Sequence, residues 1–206
     1  MPALTVDQSR QLATSLIGRG QSFRVACDGF LDDPKGARAH ALASTFIDWV
    51  GQDGETYRRI CITKVPGLNE AIERVFGPVE MFMQGYRLNY AGEMPNAAVH
   101  SDLGWGTHAA VVYLCEGEGG TAFWRHKATR TERIAVGNVE LFGSVRNDWN
   151  VADAWEMTDV APLAFNRAAL YDGSLFHSRF PFEGFGSTPE DGRLIAVAFF
   201  TPEACK

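Results

Sequence analysis

The chain has 206 residues, 46% of them hydrophobic and 21% charged, the size and make-up of one globular domain with a sizeable core. Its formal net charge of −6, with no basic cluster, argues against a nucleic-acid partner. No apolar run has the length of a membrane span and the N-terminus lacks the pattern of a signal peptide. The four scattered cysteines, Cys27, Cys61, Cys115 and Cys205, fit reduced thiols in a cytoplasmic protein and argue against a Cys-type zinc site.

Residues 5–18 set Val6, Leu12, Leu16 and Ile17 among polar positions and end at Gly18, which predicts a short amphipathic helix. Residues 23–27 read as a strand. Asp33-Pro34 is a helix start, with Asp at the cap and Pro in the first turn. That helix is expected to reach about Val50, with Ala41, Leu42, Phe46, Ile47 and Val50 inward, and to end at a turn over residues 51–54. Residues 59–63 are strand-like, and residues 69–76 form a helix that stops at Gly77-Pro78.

From Glu80 the pattern changes to short β-type runs at 81–90, 108–115, 120–125, 139–145, 167–171 and 194–201, separated by Gly-rich turns such as residues 116–120. Strands at this spacing predict a sandwich or jelly roll. The expected architecture is mainly β with flanking helices (α+β): a single domain, 1–206. Its helical and mixed part, 1–79, would pack on a β core formed by 80–206.

Chemistry concentrates at His100-Ser101-Asp102. With 25 acidic residues and 5 histidines in 206, roughly 0.6 His-x-carboxylate motifs arise by chance, so context decides. On a strand, residues i and i+2 share a face, which lets both side chains meet one ion. His177 follows in an apolar stretch, Leu175-Phe176-His177, that reads as a second strand. Two imidazoles and one carboxylate are the facial ligand set of non-heme Fe(II) oxygenases. Arg193 opens the apolar run 194–200; a guanidinium there is either a surface charge at a strand start or the partner of an anion. The other histidines carry structural expectations: His40 on a helix, His108 at the core edge, and His126 exposed near a hairpin end.

These residues give the segment from Tyr86 to Phe200 a resemblance to the Fe(II)/2-oxoglutarate-dependent dioxygenases, closest in style to the prolyl-4-hydroxylase-like branch. The features fall in order: Arg87-Leu88-Asn89-Tyr90, then His100-Ser101-Asp102, a strand at 109–114, and the turn Gly119-Gly120-Thr121-Ala122-Phe123. His177 and Arg193 follow. The family fold is a double-stranded β-helix, or jelly roll. The resemblance implies that His100, Asp102 and His177 hold Fe(II) and that Arg193 pairs with the distal carboxylate of 2-oxoglutarate. Tyr90 would donate to the cosubstrate or else pack in the core. The gap from residue 177 to residue 193 exceeds the family's usual one and is explained by a loop at 182–192. Arg179 is therefore a second candidate anchor for oxoglutarate.

The implied reaction converts 2-oxoglutarate and O2 to succinate and CO2 while an unactivated C–H bond is hydroxylated. Desaturation and ring formation also stay open. Asp102 favours hydroxylation, because halogenating members of the family lack this carboxylate. The expected substrate is a small molecule or an amino acid or peptide, and the sequence is silent on oligomeric state. Trp105, Trp124, Arg125 and the segment 146–150 are candidate pocket residues, and residues 104–106 and 184–192 are candidate lids. Two other readings use the same features: a cupin-like metalloenzyme indifferent to 2-oxoglutarate, and a jelly-roll binding module without turnover.

Overall fold

The computed structural model describes residues 1–206 except 18, 52–55, 96–97, 135–136 and 206. Its strands are β1 (Ala3–Leu4), β2 (Arg24–Cys27), β3 (Ile47–Val50), β4 (Thr56–Ile62), β5 (Val79–Asn89), β6 (His108–Tyr113), β7 (Gly120–His126), β8 (Trp155–Pro162), β9 (Ala168–Asp172), β10 (His177–Phe180) and β11 (Arg193–Pro202). The helices are α1 (Val6–Ile17), α2 (Pro34–Leu42), α3 (Leu68–Phe76) and α4 (Val139–Asp148). Eight strands form one sheet in the order β1-β2-β9-β6-β11-β5-β4-β3, and three form a second, β10-β7-β8. The two layers form the sandwich expected of a jelly roll. Strands from the first 79 residues extend the large sheet at both edges.

Period-two alternation divides the large sheet into two faces. On β5 and β11, Tyr86, Leu88, Leu194, Ala196, Ala198 and Phe200 are buried in the cluster that also takes in Ala37 and Ala41 of α2 and Leu68, Ala71, Ile72 and Val75 of α3. Phe76 meets Phe200 edge-on at 5.0 Å, and the Tyr86 hydroxyl donates to Ala37 O at 3.2 Å. The intervening residues, Met83, Gly85, Arg87 and Asn89 with Arg193, Ile195, Val197 and Phe199, line a cavity on the opposite face. Side by side in the ladder, Arg193 pairs with Asn89 and Ile195 with Arg87. A second apolar cluster, including Ala122, Trp124, Val145, Trp155 and Phe176, backs the small sheet.

The local signals explain most elements. Asp33 accepts from Gly36 N at 2.8 Å and Pro34 opens α2. Gly77, at φ 72°, closes α3 by donating to Glu73 O. The Gly119-Gly120 turn has φ of 100° and 154°. A Cβ at the first position would overlap the Phe180 carbonyl, and one at the second the Ala161 carbonyl. Two adjacent glycines are what let β7 start between its two neighbours.

Three expectations need correction. Helix α2 ends at Leu42, well short of Val50, and residues 47–50 form β3 instead. Ile47, Trp49 and Val50 are β-branched or aromatic, and they pair with Ile60, Tyr57 and Thr56 of β4. Ile47 and Val50, expected inward, are 55% and 63% exposed. The turn expected at 51–54 falls mostly outside the described residues. The run 139–145 is helical: Asn138 caps it by accepting from Leu141 N at 3.1 Å. Leu141 and Val145 are one helical turn apart and both pack on the small sheet's outer cluster. Finally, β8 gave no clear strand signal because Asp159 falls on the apolar phase of Trp155, Met157 and Ala161; it is the edge of the small sheet, where a solvated side accepts a charge.

Candidate metal centre and its cavity

His100, Asp102 and His177 do come together. One potential donor atom from each lies within 4.8 Å of the others. His177 Nε2 is 3.0 Å from Asp102 Oδ2 and His100 Nε2 is 3.8 Å from Asp102 Oδ1, with the two imidazole rings 4.5 Å apart. The scaffold differs from the expected strand. His100 and His177 form an isolated antiparallel bridge, each backbone N–H donating to the other's carbonyl at 3.0 and 2.8 Å. Asp102 lies in a loop, its N–H donating to Gly173 O at 2.8 Å. One bridge and one loop bond, and no regular strand, set the spacing of the motif.

His177 Nδ1 lies 2.9 Å from Leu175 O. A carbonyl can only accept, so Nδ1 carries the hydrogen and Nε2 faces Asp102. This backbone anchor orients metal-ligating histidines generally. The Tyr171 hydroxyl, on β9, lies 2.9 Å from Asp102 Oδ2 and 3.1 Å from His177 Nε2. Sequence reasoning missed Tyr171; the Asp102 N–H bond to Gly173 O, just past the end of β9, brings the motif to it.

The charges at the site reflect these contacts. Burial alone would raise the Asp102 carboxyl, but His177, His100 and the Tyr171 hydroxyl outweigh it and hold it at about 2. Burial opposes protonation of His177, yet Asp102 raises it above the ordinary imidazole value. Burial, reinforced by His177, lowers His100 to about 4. Burial and the Asp102 charge push the Tyr171 phenol well up, so it stays a donor. A carboxylate, a neutral imidazole and a second imidazole whose proton a cation would replace form a donor set suited to a divalent metal.

The centre opens into a cavity of about 210 Å³. Arg193 lies on its wall, 4% exposed, with one terminal nitrogen donating to Gly120 O at 3.5 Å and its Nε without a partner among the described residues. Such an unmatched, buried guanidinium fits the distal carboxylate of a bound dicarboxylate. Arg179 shares the face of His177 on β10 and also lines the cavity; its Nε donates to Phe182 O at 2.7 Å. Arg87 lines it too, although the sequence reading assigned it no role. Tyr90 is not brought to the site. It follows the end of β5, one residue out of phase with Arg87 and Asn89, and the Arg59 guanidinium sits 4.3 Å over its ring.

The remaining candidates separate cleanly. Trp105 and Trp149 line the cavity. Trp124 is buried behind the small sheet, donating to Ser178 Oγ at 2.9 Å and stacking on Phe182, and Arg125 pairs with Glu132 and Glu156. The proposed lid at 184–192 is a tied loop: Asp191 Oδ1 accepts from the backbone of Ser187 and Thr188, and Ala91 N donates to Gly186 O. His126, expected at the surface, is fully buried between Thr129 and Asp148, which its two ring nitrogens meet at 2.9 Å each.

Residues 99–200 match the model of a family of unknown function, DUF6445. Comparison with curated protein sequences gives no match. Among solved structures the chain is similar to the non-heme alpha-ketoglutarate-dependent carbocyclase SnoK from nogalamycin biosynthesis, with a TM-score of 0.58 and 13% identity over 97% of this chain and 87% of that one. It is similar to the epimerase SnoN of the same biosynthesis at TM-score 0.54 and 16% identity, over 94% and 82% of the two chains. An oxidoreductase of the 2OG-Fe(II) oxygenase family from Burkholderia pseudomallei gives 0.52 and 10%, over 99% and 98%. The fold is the jelly roll of these oxygenases. Within this jelly roll, the triad is among the residues lining the cavity, and the lining arginines come from both sheets.

Proposed function

We propose that the chain is a non-heme Fe(II)- and 2-oxoglutarate-dependent oxygenase that hydroxylates an unactivated C–H bond of a small molecule or of an amino acid or peptide. The observation that carries this reading is the convergence of His100, Asp102 and His177 at one end of a cavity whose wall holds the buried, unmatched Arg193. In SnoN, a jelly roll of the same fold at TM-score 0.51, a structure holds Fe3+ and alpha ketoglutarate together. The order of motifs favours the prolyl-4-hydroxylase-like branch.

In this reading His100, Asp102 and His177 hold the metal, and Arg193 forms a two-pronged bond to the far carboxylate of 2-oxoglutarate. Bound Fe(II) and oxoglutarate supply oxygen activation, with succinate and CO2 as co-products. The chain's part is positional. Leu175 O fixes the His177 tautomer, and Tyr171 holds Asp102 ionised and oriented. The apolar wall of Ile195, Val197 and Phe199 keeps water from the reacting end. Asp102 occupies a position that a halide would otherwise take, which favours hydroxylation.

Anaerobic addition of Fe(II) and then 2-oxoglutarate is expected to produce the visible metal-to-oxoglutarate charge-transfer band. Slow succinate formation should follow on admission of air. Metal binding without the band would instead support a cupin-like enzyme, and binding of neither would support a module without turnover.

A further inference from the structure

The cavity holds more positive charge than the proposed cofactors use. Arg87, Arg179 and Arg193 line it, and the carboxylate among its described lining residues is Asp102. Three other part-buried arginines are matched by acids: Arg24 pairs with Glu132 and Asp159, Arg59 with Glu93, and Arg167 with Asp28. In a chain of net charge −6, acidic groups are plentiful, yet none among the described residues pairs with the three cavity arginines. A divalent metal and the oxoglutarate dianion cancel each other. Three guanidiniums against one carboxylate then leave two positive charges in one part-buried cavity, an arrangement that an anion would complete.

The three arginines reach the cavity from two facing sheets. Arg193 and Arg87 come from neighbouring strands of the large sheet, offset by two residues along the ladder. Arg179 comes from the facing small sheet, two residues beyond His177. Arg87 has its guanidinium over the Tyr57 ring at 5.5 Å and a buried Nε without a partner among the described residues. Arg179 donates to the carbonyls of Phe182 and Glu93, which satisfies hydrogens but leaves its charge uncompensated. All three guanidiniums line the same cavity of about 210 Å³. Beyond them the wall becomes aromatic, with Trp49 5.8 Å from Trp105 and Trp105 stacked at 6.1 Å on Phe199.

Building on the oxygenase reading, we propose that the primary substrate is an organic anion whose carboxylate or phosphate sits between Arg87 and Arg179. Its apolar or planar body lies along Trp49, Trp105 and Phe199. The oxyanion holds one end of the substrate, the aromatic wall holds the other, and the C–H bond to be oxidised is presented to the triad between them. An anion at this subsite also relieves the repulsion among the three guanidiniums, so substrate and oxoglutarate binding should reinforce one another.

The test uses protein loaded anaerobically with Fe(II) and 2-oxoglutarate, so that the charge-transfer band reports an occupied cosubstrate site. It is titrated with 4-phenylbutyrate, phenyl phosphate and the neutral 4-phenylbutanamide, and binding is read by quenching of tryptophan emission. At least one anion should bind about ten-fold or more tighter than the amide, a gap of about 1.4 kcal/mol, and which one does so tells carboxylate from phosphate. Arg87→Met and Arg179→Met should lose that preference while keeping the band, and Arg87→Lys should recover part of it. The proposal is overturned if the three probes bind alike or none binds, or if the anions displace oxoglutarate. It is equally overturned if either Met variant keeps the preference or loses the band. A wild-type protein that never shows the band fails the oxygenase reading itself, which is a separate result.

Discussion

The Tyr171 hydroxyl donates to Asp102 Oδ2 at 2.9 Å, in a buried setting that also puts it 3.1 Å from His177 Nε2. The phenol therefore orients Asp102 directly and packs beside His177. Tyr171→Phe removes that bond without changing the packing against Phe123, whose ring lies 5.5 Å away. Loss of such an orienting partner typically lowers metal affinity about 10- to 100-fold. A competition titration of Fe(II) against a chromogenic chelator should show a drop of that size, with a circular-dichroism spectrum like the wild type's. Unchanged affinity would mean that Tyr171 is only a core residue.

Asp102 is expected to be indispensable to turnover and dispensable to the fold. It sits in a loop, and its backbone N–H, which bonds to Gly173 O, is retained in any variant. Asp102→Ala should abolish oxoglutarate-dependent succinate formation while the protein still unfolds cooperatively on heating. Full activity in the variant would show that the carboxylate is not a ligand.

Arg193→Met tests the oxoglutarate anchor separately. Truncating one partner of a buried charge pair costs about 2–5 kcal/mol, so the KM for 2-oxoglutarate should rise by roughly 30-fold or more. Fe(II) affinity should be nearly unchanged. If instead Arg179→Met produces this effect and Arg193→Met does not, the anchor is Arg179.

His108 is not among the cavity's lining residues; it is buried among Phe23, Phe76 and Phe200, with its Nδ1 2.9 Å from Thr107 Oγ1. Burial lowers it from 6.5 to about 4, against a weaker opposing pull from Asp172. The unfolded chain therefore takes up a proton at a higher pH than the folded one. The stability associated with this group is complete above 6.5 and is lost as pH falls towards 4, by on the order of 3 kcal/mol. Urea unfolding followed across that window should show the loss, and His108→Leu should flatten it. A variant as acid-sensitive as the wild type would show that other groups dominate.

Much of the fold was legible locally. Asp33-Pro34, Gly77 and the glycine pair at 119–120 are short-range signals, and each appears where it was expected. The two misread segments share a physical cause. Ile47-Asp48-Trp49-Val50 and Val139-Glu140-Leu141-Phe142 are short mixed runs whose apolar spacing fits either period, and the partner decides. The first pairs with β4, and the second lays Leu141 and Val145 on the back of the small sheet.

The site divides in the same way. His100, Asp102, His177 and Arg193 could be named from the sequence because their residue types are rare in apolar surroundings and their order is that of a known ligand set. Strand phase decided the rest. Tyr90 and Asn89 are adjacent in sequence, but the pleat turns Asn89 into the cavity and Tyr90 under Arg59. The same alternation sends Arg87 inward and sets Arg179 on the face of His177, and the fold brings Tyr171 to Asp102 across 69 residues. The sequence by itself determined which metal-ligating and anion-binding side chains the chain carries. The tertiary structure decided how many charges share the cavity, because only strand register places side chains far apart in the chain on one wall.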